Sequence, residues 1–177
     1  HNSELGDVVP ARFIPVAEYS HLIIELGEWV LCSACEQLRD WDRAGLPGLR
    51  MSVNVSPAQF RDPNFIGMAR RCILGFGIDP SRIELEITES MALTETETVV
   101  ETLHKMKNFG VSIAVDDFGS GFSSLGHLQQ LPLNRLKIDR AFVSDLSAGS
   151  SGATIAETIV KLGHILGLAV IAEGVET

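Results

Sequence analysis

Cysteine is scarce in this chain. Cys32, Cys35 and Cys72 are the only three among 177 residues, an odd, sparse set unlike the disulfide framework of a secreted domain, so a reducing compartment is the simpler reading. Cys32 and Cys35 form C-x-x-C, but within ELGEWVLCSACEQLRDW, where Leu26, Trp29, Val30, Leu38 and Trp41 recur at helical spacing. The pair reads as two small residues on a helix, and no second Cys or His pair stands at zinc spacing. His21, His104, His127 and His164 are scattered without ligand spacing. Basic residues are also few: 14 against 23 acidic ones, for a formal charge of -9. That balance disfavours non-specific adhesion to nucleic acid or anionic membrane, so no DNA or RNA polymer is expected as a partner. An anionic substrate would need a metal or well-placed cations. No apolar run approaches the ~20 residues of a membrane span, and no secretory leader is visible. A cytoplasmic segment is expected, with any membrane tether elsewhere in its parent.

What the chain does have is 45% hydrophobic residues, enough to build one globular α/β core. Five short apolar runs each carry a polar residue able to bind a metal or move a proton: RMSVN at Asn54, IELEITE at Glu86, VSIAVDD at Asp116 and Asp117, RLKID at Lys137 and LAVIAE at Glu173. The intervals between them are 32, 30, 21 and 36 residues, and a βαβ repeat takes ~30. This is the pattern of a β/α barrel with its active site at one end of the strands.

Side-chain parity sharpens the reading, because neighbours in a strand face opposite ways. Leu85 and Ile87 share one face, with Glu84, Glu86 and Thr88 on the other. Likewise Val53 and Val55 oppose Asn54, Ile113 and Val115 oppose Asp116, and Leu136 and Ile138 oppose Lys137 and Asp139. With the apolar faces turned outward to helices, the polar set converges inside. Burying that many carboxylates is costly without counter-charge, so a cation is expected among them.

Between the strands, helices are expected from Pro10 to about Glu18, from Leu26 to Trp41, and over Phe65 to Ile73. A further helix begins at a Thr94–Glu97 capping box and buries Val99, Leu103 and Met106. The last helix carries Ile155, Ile159, Leu162 and Leu166, after a Ser/Gly-rich stretch from Ser144 to Gly152 that reads as a mobile loop. Five strands cannot close an eight-stranded barrel. A partial domain over 1–177 is therefore expected, with open sheet edges.

The ordered motifs SVNVS, ELEITES, VDDFGSGFSSL, LKIDRAFV and VIAEGVET, with PARFIPVAE upstream, resemble the EAL-domain family of bacterial phosphodiesterases that open cyclic di-GMP to linear pGpG. The resemblance implies a TIM-like (β/α) barrel whose first strand is antiparallel. It also implies that the strand bearing the Glu-Ala-Leu motif and the final strand and helix lie outside 1–177. By the same resemblance Asn54, Glu86 and Asp116 hold one Mg²⁺ or Mn²⁺, and Asp116 bridges to a second metal also held by Asp117 and Glu173. Lys137 matches the lysine that orients or deprotonates the attacking water. Glu89 matches a glutamate holding the loop after the Asp116 strand, whose Gly119, Ser120 and Gly121 can approach a phosphate or move as a lid. Gln59, Asp139 and Glu176 are expected near the substrate or behind the ligands. Ser120 and Phe122 stand where the family more often has Thr and Tyr. The resemblance further implies sensor or GGDEF domains in the parent and a homodimer through the loop after Asp117. The alternative function is a receptor that binds cyclic di-GMP without hydrolysing it.

Overall fold

The computed structural model describes residues 6–93, 97–119, 125–144 and 151–175. Two helices come first, α1 (Pro10–Tyr19) and α2 (Leu22–Arg43). Pro10 sits in the first turn of α1, where its missing N–H costs nothing. Next are β1 (Met51–Asn54), the short α3 (Pro57–Arg61) and α4 (Phe65–Gly75). Then come β2 (Ile83–Thr88), α5 (Glu89–Leu93), α6 (Glu97–Phe109) and β3 (Ser112–Phe118). The chain ends with α7 (Leu125–Leu128), β4 (Arg135–Ile138), α8 (Arg140–Val143), α9 (Ser151–Leu166) and β5 (Ala169–Ala172).

The strands form one sheet in the order β1-β2-β3-β4-β5, every pairing parallel. Sequential parallel strands with helical crossovers build the wall of a β/α barrel. All five carboxyl ends point the same way, which is what collects the polar residues into one layer.

The burial pattern follows parity. Leu85, Ile87, Ile113, Val115 and Leu136 are fully buried, packed with Val99, Leu103 and Met106 of α6 and with Ile73 of α4. The opposite face buries polar groups, including Glu84, Glu86 and Lys137. α9 is rotated from expectation: Gly152, Ala156, Ile159 and Gly163 are its buried residues, and Ile155 is exposed. Small residues let that helix lie close to β5. Thr94 and residues 145–150 lie outside the described residues.

The cysteines depart from the sequence reading. Cys32 of α2 is joined to Cys72 of α4 in a disulfide across 40 residues, and buried Cys35 is free. The C-x-x-C pair is therefore not a redox couple with itself. Spacing along α2 carried no information about α4 packing beside it, so sparse cysteines did not mean unpaired ones.

Candidate active site at the strand ends

Lys137 is the centre of the site. Its Nζ lies 2.9 Å from Glu86 Oε1, 3.0 Å from Asp116 Oδ1 and 2.5 Å from Glu173 Oε1, so one ammonium ties the ends of β2, β3 and β4 to the residue after β5. Burial works to lower the Lys137 pKa, but hydrogen bonds to Glu173, Glu86 and Asp116 outweigh it and hold the group above an ordinary lysine. The cation expected among the carboxylates is thus in part a residue of the chain itself. Asn54 closes β1 in register with Glu86.

Asp116 and Asp117 pose a geometric problem, because adjacent residues in an unbroken strand face opposite ways. The β3–β4 register shifts between Val115 and Phe118, and Asp117 adopts φ +52°. That left-handed conformation is uncommon outside glycine, although Asp tolerates it better than most. The irregularity turns the second aspartate toward the first: one carboxylate oxygen each from Asp116, Asp117 and Glu173 lie within 4.8 Å of one another. Local strain of this kind collects at functional sites. The Asp117 pKa is raised, first by burial and then by the charges of Asp116, Asp139 and Glu173, with Lys137 opposing. Three hard oxygen donors this close, carrying more charge than one lysine balances, fit a hard divalent cation.

Supporting groups fix this layer. Glu89 is buried at the start of α5 and accepts a 2.9 Å hydrogen bond from the Gly119 N–H, which anchors the turn after β3. Gly119 has φ +105°, and a Cβ there would lie 2.9 Å from both Phe142 and Ile159 side chains, so only glycine suits the position. Asp139 caps α8 by accepting from the Ala141 N–H at 2.8 Å. Ser120, Gly121 and Glu176 lie outside the described residues.

Gln59 has a duty inside the fold. Its Oε1 accepts from the Ser56 N–H at 3.1 Å, completing a capping box, and its amide packs so closely on α2 that a Cβ on Gly27 would overlap it. It is only 4% exposed, and these contacts support the loop after Asn54. Sequence reasoning passed over Arg135, which forms a partly buried ion pair with Glu84. The alternation in RLKID had placed it on the face of Lys137.

A parallel β/α sheet with an acidic cluster at its carboxyl ends that could hold a metal ion defines a domain of the β/α-barrel class. A family model described as "EAL domain" matches residues 1–177, and the chain belongs to that family. It is 41% identical over 172 residues to the "Bifunctional diguanylate cyclase/cyclic di-GMP phosphodiesterase MucR" of Pseudomonas aeruginosa, covering 97% of this chain and 25% of that protein. A protein of the same organism named as a cyclic di-GMP phosphodiesterase is 38% identical over 98% of this chain and 30% of its own length. The solved structure "PaMucR Phosphodiesterase, c-di-GMP complex" superposes with a TM-score of 0.89 at 40% identity, over 96% of this chain and 74% of that one. The chain spans about a quarter of the length of the curated relatives it matches. EAL domains among the solved neighbours are TIM-barrel-like, and the α/β sheet described here is part of that architecture.

Proposed function

We propose that this segment carries most of the active site of a metal-dependent phosphodiesterase that hydrolyses cyclic di-GMP to linear pGpG in bacterial second-messenger signalling. The observation that supports this best is the Lys137 ammonium bound at once by Glu86, Asp116 and Glu173, with Asp117 turned to the same side. Family membership and relatives named for this activity point the same way.

In this reading Asp116, Asp117 and Glu173 would hold one Mg²⁺ or Mn²⁺, and Asn54, Glu86 and Asp116 would hold another. Such ions polarise a phosphoryl oxygen and make bound water nucleophilic near neutral pH. The protein's own share is positional. Lys137 is an ammonium with no lone pair to spare, so it donates to the incoming water or to a phosphate oxygen and orients it without taking its proton. Glu89 fixes the turn at Gly119 beside the phosphate path. By the family resemblance Ser120 and Gly121 belong to a loop that can approach a phosphate or move as a lid, and Asp139 and Glu176 stand behind the ligands or near the substrate.

The remaining strands of the barrel, including the one bearing Glu-Ala-Leu, are proposed to come from outside 1–177. The open edges at β1 and β5 and the 74% coverage of the solved relative support this. Sensor or GGDEF domains in the parent and a homodimer through the loop after Asp117 rest on the family resemblance, and a cytoplasmic location no longer has sparse, unpaired cysteines to support it. Among the described residues no helix is long and apolar enough to cross a membrane.

The deciding experiment is conversion of cyclic di-GMP to pGpG by the parent protein with Mg²⁺. Product that stops on chelation supports the phosphodiesterase. Nucleotide bound with no product formed would make the domain a receptor.

A further inference from the structure

One layer below the site lies a second cross-sheet ion pair that the chemistry above does not use. Glu84 on β2 is 4% exposed, binds Nη1 of Arg135 on β4 through Oε2, and has the Ser52 hydroxyl 3.4 Å from Oε1. β2 and β4 are not neighbours, since β3 runs between them. Glu84 stands opposite Ser112 and Arg135 opposite Ala114, so this pair slants across β3. The Glu86–Lys137 pair spans the same two strands one step nearer the carboxyl ends. Ala114, fully buried, offers only a methyl group beneath both crossings.

The two layers compete for the same cation. Glu84 precedes Glu86 by two residues on one face of β2, a separation of ~6.6 Å along the strand, within reach of a lysine that swings downward. A buried carboxylate with no partner attracts the nearest ammonium strongly. Arg135, two residues before Lys137 on the same face, satisfies Glu84 first.

We propose that Arg135 is a positioning residue for the reaction inferred above, an assignment that rests on that reading. By neutralising Glu84 it leaves the Lys137 ammonium to Glu86, Asp116 and Glu173. Loss of Arg135 draws Lys137 toward Glu84, and removing the Glu84 charge as well releases it.

The test is a cycle in the full-length protein with Arg135→Met, Arg135→Lys, Glu84→Gln and the Glu84→Gln/Arg135→Met double variant. Turnover of cyclic di-GMP with Mg²⁺ is read alongside the ¹³Cε NMR signal of Lys137, assigned by Lys137→Met. Arg135→Met is expected to lower kcat about ten- to hundredfold, the range for groups that orient a metal site, with little change in KM. It should also shift the Lys137 signal. Arg135→Lys should keep most activity, and the double variant should recover most of the lost kcat and return the signal. A double variant no better than Arg135→Met, or an unmoved Lys137 signal in Arg135→Met, overturns the proposal. If the wild-type protein forms no pGpG, the phosphodiesterase reading fails by itself and the NMR cycle still decides the role of Arg135.

Discussion

The two polar layers inside the sheet differ in one respect that explains the rest. In the lower layer one arginine meets one glutamate, and the charges cancel. In the upper layer Lys137 faces Glu86, Asp116 and Glu173, with Asp117 close behind. A balanced pair needs no further cation. An unbalanced cluster held together by a single ammonium is stable enough to form and still carries charge for a further cation. Charge imbalance separates the layer that can take up a further cation from the layer beneath it, even though both use carboxylates and a basic residue on the same strand faces.

Breaking the upper layer should have the largest effect. Asp116→Ala or Glu86→Ala in the parent protein removes a Lys137 partner and, in the proposed function, a metal ligand with it. Metal-dependent turnover is expected to fall by about a thousandfold or more, since metal polarisation of a phosphoryl oxygen is worth several kcal/mol. Rates unchanged in both variants would dismiss the site assignment. Breaking the lower layer should show first in stability. Arg135→Ala strands a carboxylate that is nearly inaccessible, and removal of one partner from a buried pair costs about 3 kcal/mol, discounted somewhat because the arginine side chain is a quarter exposed. Urea unfolding of the variant against wild type measures it.

Ala114 sharpens the comparison because it lies under both crossings. Ala114→Leu inserts bulk at a position with no accessible surface, and overpacking of this kind costs about 1–3 kcal/mol. Turnover should fall alongside stability, since Lys137 can no longer reach Glu86 unhindered. A variant with normal kcat would show that the crossing tolerates a wider spacing.

Strand parity made most of this legible in the sequence. Leu85 and Ile87 alternate with Glu84 and Glu86, and that alternation alone put the carboxylates inside and called for a cation among them. Asp117 was the exception. Parity turns it away from Asp116, and only the register shift and left-handed backbone bring it back, neither of which leaves a mark in VSIAVDD. Gln59 reads from the sequence as a loop residue, and its capping bond to Ser56 and close packing against Gly27 are contacts set by how α3 docks on α2. The Cys32–Cys72 link is likewise a product of helix packing. Periodicity reports which way a side chain faces, and tertiary docking decides what it meets.

The smallest expected effect tests the charge imbalance directly. The Asp117 pKa is raised in the fold, so the folded state holds its proton more tightly than the unfolded chain does. Folding therefore disfavours the ionised form, and this group's unfavourable contribution grows as pH rises through the window between the unfolded and folded values. Above that window it is constant. A divalent cation should relieve it, and binding requires the carboxylate ionised. Mg²⁺ should thus raise the melting temperature more at neutral pH than under mildly acidic conditions, and Asp117→Asn should shrink that difference. The lower layer predicts the opposite control: Glu84→Gln should leave the Mg²⁺-induced shift in place, because the pair it breaks carries no surplus charge for the ion to neutralise. Thermal melts with and without Mg²⁺ at two pH values read both variants, and an equal loss of the shift in both would erase the distinction between the layers.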